Sequence, residues 1–164
     1  MTWALTRDFS EVEAYMQRFK DSLAKSPKAK RPRFATMRHT GVYERRSEFE
    51  TYISYFKRVA AQFENLFRGE GGVKNGFPSE VALAELDNRA EYDSAMLRNN
   101  LMFGTPDEII SKLRAYESLG VDNFIYYASY GLPHDLQEKS LRLFTDEVMP
   151  AFKNASPQQT ELVR

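Results

Sequence analysis

Gly104-Thr105-Pro106-Asp107-Glu108-Ile109-Ile110-Ser111-Lys112-Leu113-Arg114-Ala115-Tyr116-Glu117-Ser118-Leu119-Gly120-Val121-Asp122-Asn123-Phe124-Ile125 is the stretch on which the reading of this chain turns. Thr105 stands where a helix N-cap is wanted and Pro106 takes the first helical position. Asp107 and Glu108 set acid against the positive end of the helix dipole. Ile109, Ile110, Leu113 and Tyr116 then recur at helical spacing and predict a buried stripe. Gly120 follows where a helix ends in the left-handed region. From Val121 to Ala128 the sequence is apolar and aromatic without alternation, as expected of a strand covered on both faces. A capped helix, a glycine and a buried strand make up half of a parallel α/β unit.

The same pattern extends to both sides. After Tyr130-Gly131-Leu132-Pro133-His134-Asp135 a final helix is predicted to about Met149, with Leu136, Leu143, Phe144 and Val148 inward and Pro150 stopping it. Upstream, residues 1–6 read as a short strand. Ser10-Glu11-Val12-Glu13 reads as a capping box for a helix over 11–24, with Val12, Tyr15, Met16, Phe19 and Leu23 on one face. Arg33 to Glu44 reads as a second strand, with Gly41 a bulge. From Ser47 to Phe67, Phe49, Tyr52, Ile53, Phe56, Val59, Ala60, Phe63 and Phe67 form a broad aromatic face. Gly69 to Gly72 and Asn75-Gly76-Phe77-Pro78 read as a flexible loop, followed by a weaker helix from about Ser79 to Arg98 with Ser79 as cap.

The expected organisation is strand–helix–strand over 1–44, a helical insertion over 45–100, helix–strand–helix over 101–153 and a disordered tail over 154–164. Three central strands are too few to close a barrel.

Composition excludes several function classes. Lys plus Arg and Asp plus Glu are 23 each, so no net field draws the chain to nucleic acid or an anionic membrane. There is no cysteine, hence no disulfide, thiolate metal site or cysteine nucleophile. No apolar run approaches the ~18 residues of a membrane span. The first residues lack a basic start followed by an apolar segment, which predicts a cytoplasmic protein. The 12 Phe, 9 Tyr and single Trp suit a large core or an aromatic-lined pocket.

The block from Gly104 to Glu117, with Leu119-Gly120-Val121-Asp122-Asn123-Phe124-Ile125, resembles the luciferase-like flavin-dependent monooxygenases. The ending from Gly131-Leu132-Pro133-His134 through Ser140-Leu141-Arg142-Leu143-Phe144 to Glu147-Val148-Met149-Pro150-Ala151-Phe152 is similar to that family's last helix. Phe34-Ala35-Thr36-Met37-Arg38-His39 and Val42-Tyr43-Glu44 resemble its penultimate strand. The resemblance covers about 1–44 and 101–153, with 45–100 as an insertion. It implies an α/β fold that is part of a TIM (β/α)8 barrel, comprising about the last three strand–helix units. It also implies a cofactor, reduced FMN or a deazaflavin relative, held at the barrel mouth, where O₂ is activated toward a small organic substrate. In that comparison the first five strands are missing. The chain is therefore expected to bind no flavin and to catalyse nothing alone, its partner being the N-terminal barrel portion or another copy of itself. The alternative is a non-catalytic oligomerising or binding module on the same fold.

Candidate site residues follow from chemistry and position. His39 and His134 are the only histidines and are the candidate catalytic groups, since imidazole titrates near neutral pH. His134 lies just past a predicted strand, on the side where barrel enzymes place chemistry; the plainer reading is a histidine at a helix start. For His39 the plainer reading is a satisfied core histidine. Tyr126, Tyr130 and Trp3 are the candidate cofactor-binding residues, with Tyr127 facing away from Tyr126 because strand side chains alternate. Thr2 and Thr6 share Trp3's position. Lys25, Lys28, Lys30, Arg31 and Arg33 read as a solvated loop, and Gly69 to Gly72 as a linker without a phosphate cradle. No HExxH or carboxylate cluster suggests a metal.

Overall fold

Three strands pair in parallel with one central strand in the computed structural model, which describes residues 2–3, 8–26, 30–68 and 72–152, without the side chains of residues 2, 3, 67 and 68. That strand is β2 (Ala35–Val42). It pairs in parallel with β1 (Thr2–Trp3) at Thr36 and Met37 and with β6 (Asn123–Tyr127) from Ala35 to His39. Beyond His39 it pairs with β5 (Met102–Gly104) from Thr40 to Val42. A parallel sheet with its helices on the crossovers is what the helix–strand alternation predicts. The predicted strand over 33–44 is found two residues shorter at each end. Gly41 keeps register opposite Phe103, so it is not a bulge. Its smallness serves close approach instead, as the site below requires.

Helix α1 (Phe9–Ala24) starts two residues before the predicted point. Asp8, not Ser10, is its cap: the Asp8 carboxylate accepts from the Glu11 N–H at 3.0 Å and from the Ser10 hydroxyl at 2.6 Å. A charged acceptor two residues earlier outcompetes the hydroxyl. Val12 and Met16 are buried as expected.

The described residues of the loop that follows are exposed, as expected, and Arg31 anchors it. Arg31 donates to Asp122 at 2.9 Å, and Asp122 also accepts from the Phe34 N–H at 2.7 Å, tying the entries of β2 and β6 together. Lys28 lies outside the described residues.

Helix α2 (Phe49–Arg68) matches its predicted span, and Phe49, Tyr52, Ile53 and Phe56 are buried; Phe63, expected inward, is half exposed. Beyond it the structure departs from a flexible loop. Val73–Lys74 (β3) and Phe77–Pro78 (β4) form an antiparallel hairpin closed by Asn75 and Gly76, both at positive φ. Asn-Gly is the turn dipeptide that this geometry selects. The expected single helix over 79–98 is two short ones, α3 (Leu83–Asp87) and α4 (Ser94–Asn100), separated by a 3-10 turn at Ala90–Tyr92. Ser79 caps neither. Asp93 caps α4, accepting from the Ala95 and Met96 N–H groups.

Helix α5 (Pro106–Leu119) has the predicted caps. Glu108 reaches back to the Thr105 N–H at 2.9 Å, completing the capping box, and Gly120 sits at φ 100°. Helix α6 (His134–Leu143) does not run regularly to Met149. It opens into a π turn at Phe144–Val148 and closes as a 3-10 turn at Met149–Phe152. Pro150 lacks the N–H that a continuing α-helix would need, and the widened turn absorbs the loss. The expected tail over 154–164 lies outside the described residues.

The core divides at the sheet. Val12 of α1, Val42, Met102, Ile109, Leu113 and Tyr116 of α5, and Val148 form one cluster. Tyr43, Phe103 and Tyr130 join Phe49, Tyr52, Ile53 and Phe56 of α2 and the insertion in the other. Both faces of the C-terminal half of β2 are therefore covered.

Candidate functional site at the carboxyl end of the central strand

Alternation along β2 sends Thr36, Arg38, Thr40 and Val42 to one side and Met37, His39 and Gly41 to the other, with Tyr43 continuing the second row. The first side carries several side-chain hydrogen bonds. The Arg38 guanidinium, 1% exposed, donates to the Asn100 carbonyl, and Thr40 Oγ1 donates to the Arg38 carbonyl at 2.9 Å. Ser140 of α6, fully buried, accepts from the Val42 N–H at 2.7 Å and shares a 2.7 Å bond with Tyr126 Oη. Lys112 Nζ donates to the carbonyls of Arg98, Leu101 and Phe103 at 2.7, 2.7 and 3.2 Å. Burial pulls this ammonium down to about 8, with the charges of Arg38 and Arg98 adding to the effect and Glu108 opposing it. Arg38 and Lys112 together hold the chain where α4 ends and β5 begins. They line a cleft of about 270 Å³ with Phe9, Leu101 and Tyr116.

The second side is built differently. His39, 8% exposed, meets the rings of Tyr127, Phe56 and Tyr130 at 4.9, 5.3 and 6.0 Å, each edge-on. Tyr130 lies across Gly41: a Cβ there would stand 2.5 Å from Tyr130 Oη and 2.7 Å from Tyr52 Cδ1. Only glycine lets both rings rest on the strand. Tyr43 follows, fully buried against Tyr52 at 5.2 Å. Among the described residues His39 Nδ1, Tyr43 Oη and Tyr130 Oη are buried without a hydrogen-bond partner. Burial, with the charge of Arg38, pulls the His39 imidazole down to about 4, so it is neutral at pH 7. Burial pushes the Tyr43 and Tyr130 phenols up, so both keep their protons. The row thus presents two phenolic donors and one neutral imidazole at the carboxyl end of parallel strands, where open α/β sheets bind ligands.

Of the candidates from sequence, His39 and Tyr130 come together here. Tyr126 is on the opposite side, bonded to Ser140 and packed on Phe144 at 5.0 Å. Tyr127, its alternate, is the one beside His39. His134 is exposed at the first position of α6. The side chains of Trp3 and Thr2, and all of Thr6, lie outside the described residues. Tyr43 escaped sequence reasoning although its signal was present: it is two residues on from Gly41 and four from His39. Lys112 escaped because its partners are carbonyls, which no side-chain pattern announces.

Elsewhere, an open cleft of about 360 Å³ beside α6 is lined by charged groups including Glu44, Glu138, Lys139 and Arg142. Both of its cations are paired, Lys139 with Glu44 at 3.0 Å and Arg142 with Glu138 at 2.7 Å. No group of three or more metal-ligating side chains occurs among the described residues, and no helix there is long and apolar enough to cross a membrane.

No family model matches the chain. It is 26% identical over 145 residues to the oxygenase component of flavin-dependent trigonelline monooxygenase from Acinetobacter baylyi, an alignment covering 88% of this chain and 40% of that protein. The chain therefore spans about two-fifths of the length of the curated relative it matches, and nearly all of the chain takes part.

Proposed function

We propose that this chain is the C-terminal portion of a luciferase-like, flavin-dependent monooxygenase of the oxygenase-component type, acting on a small organic molecule with O₂. The observation that carries the reading is the similarity over 88% of the chain to a flavin-dependent oxygenase component. The capped Gly104-Thr105-Pro106 helix leading into a buried parallel strand agrees with it. In this reading the four strands are a segment of a (β/α)8 barrel, and the remaining strands come from a longer protein or from an N-terminal partner chain. A second component would supply reduced flavin, FMN or a deazaflavin. When bound, the reduced flavin supplies the electrons that activate oxygen.

This chain's share of the pocket is then the row of His39, Tyr43, Tyr127 and Tyr130. Its unpartnered polar atoms suit the edge of a flat ring that carries acceptors, while the rings of Phe56 and Tyr52 cover the face on which such a ring would lie. Neutral His39 would hold or accept a hydrogen bond at its Nδ1, and the two phenols would donate. His134, exposed beyond β6, could act only at the rim of such a pocket.

Alone, the chain is expected to bind FMN weakly or not at all, because in this reading most of the cofactor's contacts would come from the remaining strands of the barrel. Flavin titration by fluorescence, with and without a complementing N-terminal barrel portion, tests this. Binding and substrate-dependent oxygen uptake only in the complemented sample support the reading. Absence of both there, with the two parts associated, rejects it. Tight binding of FMN by the chain alone would contradict its incompleteness.

The second reading is a non-catalytic module that associates with its own kind. The exposed apolar side chains of Phe63, Leu66, Val73 and Phe77 on the insertion favour it.

A further inference from the structure

Asn75-Gly76 is the single asparagine–glycine pair in the chain, and the fold sets it at the tip of the hairpin between β3 and β4. Lys74 and Phe77 close the turn as a register pair, so its closing bonds belong to them and the Gly76 N–H lies outside the ladder. Residues 72–77 are exposed. At Gly76, nothing but its own neighbours in the chain comes within 4 Å of where a Cβ would stand. Solvent and the side chain of Asn75 therefore have open access to the Gly76 nitrogen. The other described asparagines are placed differently. Asn65 and Asn99 lie inside α2 and α4, where the following N–H serves the helix. After Asn88 and Asn100, the Arg89 and Leu101 N–H groups donate to the Leu86 and Leu97 carbonyls at 2.9 and 2.8 Å. Asn123 lies in β6 and is followed by Phe124, whose side chain crowds its own nitrogen.

We propose that Asn75 is a site of self-modification, at which the folded chain converts an uncharged turn into a carboxylate. The Gly76 nitrogen, having lost its proton to hydroxide, attacks the side-chain carbonyl carbon of Asn75. The new N–C bond closes a five-membered imide; the bond from that carbon to the amide nitrogen breaks, and the nitrogen takes up a proton and leaves as ammonia. Water then opens the ring. Opening at the side-chain carbonyl gives aspartate, and opening at the backbone carbonyl gives isoaspartate, in which the chain runs through the side chain. No oxidant, reductant or cofactor takes part, and the site does not depend on the flavin reading.

The hairpin sets the rate and suffers the outcome. Ring closure needs the Asn75–Gly76 peptide to swing toward the side chain, which requires the turn to open. Opening is local and easy, because each strand has two residues and Val73 and Phe77 are 73% and 74% exposed. Aspartate keeps the backbone and adds only a charge. Isoaspartate adds one backbone carbon to a two-residue turn, which breaks the pairing of Val73 with Pro78 and of Lys74 with Phe77. Either product puts a negative charge between Val73 and Phe77, so the apolar surface of the insertion becomes charged as the protein ages.

The test is incubation of the full chain in mildly alkaline buffer, folded and in urea, followed by isoelectric focusing and peptide mapping. Acidic and basic residues are equal at 23 each, so one new carboxylate separates cleanly. A single acidic band should grow faster as pH rises, map to residue 75 as isoaspartate and aspartate, and be absent in Asn75→Gln. In the folded protein it should form at no less than about a hundredth of its rate in urea, as local opening allows. Reaction through global unfolding would be slowed by about a thousandfold or more. A folded rate below that hundredth, or modification spread over other asparagines, overturns the site. Amide exchange tests the outcome: Asn75→Asp should keep the protection of residues 73–78, and the purified isoaspartate form should lose it. Equal protection in the two overturns the loss of pairing.

Discussion

The two sides of β2 solve the same burial problem in opposite ways. On the side of α1 and α5, Arg38, Thr40, Ser140 and Tyr126 all make hydrogen bonds, and Lys112 nearby holds three carbonyls. On the side of α2, His39, Tyr43 and Tyr130 are as deeply buried and their polar atoms are left over. Burial alone therefore does not mark a finished core. The first side is a scaffold whose polar groups serve the fold, and the second carries polar groups that the fold does not use. Function draws on groups of the second kind.

The largest expected effect tests the scaffold side. Lys112→Met leaves the carbonyls of Arg98, Leu101 and Phe103 without their donor and should destabilise the protein by about 3–4 kcal/mol. Urea denaturation measures it; a loss below ~1 kcal/mol would mean that water replaces the ammonium and that this side is no better bonded than the other.

Next comes acidity on the α2 side. The folded pKa of His39, about 4, lies below the unfolded value near 6.5, so the unfolded chain takes up the proton first. Stability should therefore fall as pH drops from about 6.5 to 4 and level off below, with a total of up to ~3 kcal/mol from this residue. Wild type and His39→Gln unfolded in urea at pH 7, 5.5 and 4 should lose stability at different rates, the variant less steeply. Parallel curves would show that His39 is not held neutral.

Gly41→Ala comes third. Its Cβ would press on Tyr130 Oη and the Tyr52 ring, at a cost of about 2 kcal/mol. An unchanged thermal midpoint would mean that the aromatic layer yields freely.

The smallest effect has the opposite sign and is the sharpest test of the contrast. Tyr43→Phe and Tyr130→Phe should each stabilise the chain by about 1 kcal/mol, because they remove a buried hydroxyl that bonds to nothing. Tyr126→Phe should instead destabilise by about the same amount through loss of its bond to Ser140. If all three substitutions shift stability in one direction, the two sides do not differ as described.

Much of the scaffold was legible in the sequence. Thr105, Pro106 and Glu108 define the start of α5, and Gly120 its end, because caps act within one turn and need no tertiary information. The helical stripes of α1 and α2 were equally plain. The hairpin at residues 73–78 was missed despite Asn75-Gly76, since strands of two residues carry no alternation to read. The capping-box spacing of Ser10 and Glu13 recurs in Asp8 and Glu11, and only the backbone decides between them. The site was half legible. His39 and Tyr130 stood out by residue type, but periodicity tells which stripe of α2 is buried and not against what. Its docking on the His39 row, and with it the significance of Tyr43, depends on contacts far apart in sequence.

The position of β2 has a consequence for how the molecule is made. Every parallel pairing among the described residues runs through this one strand, and its entry is fixed by the bond from Phe34 to Asp122, 88 residues further on. At a synthesis rate of about 5–20 residues per second, β2 leaves the ribosome several seconds before β6 can join it. During that interval a strand with open edges waits, exposed to aggregation and to chaperones. Yield in the cell should accordingly follow how fast residues 45–122 are translated more closely than it follows the stability of the finished protein.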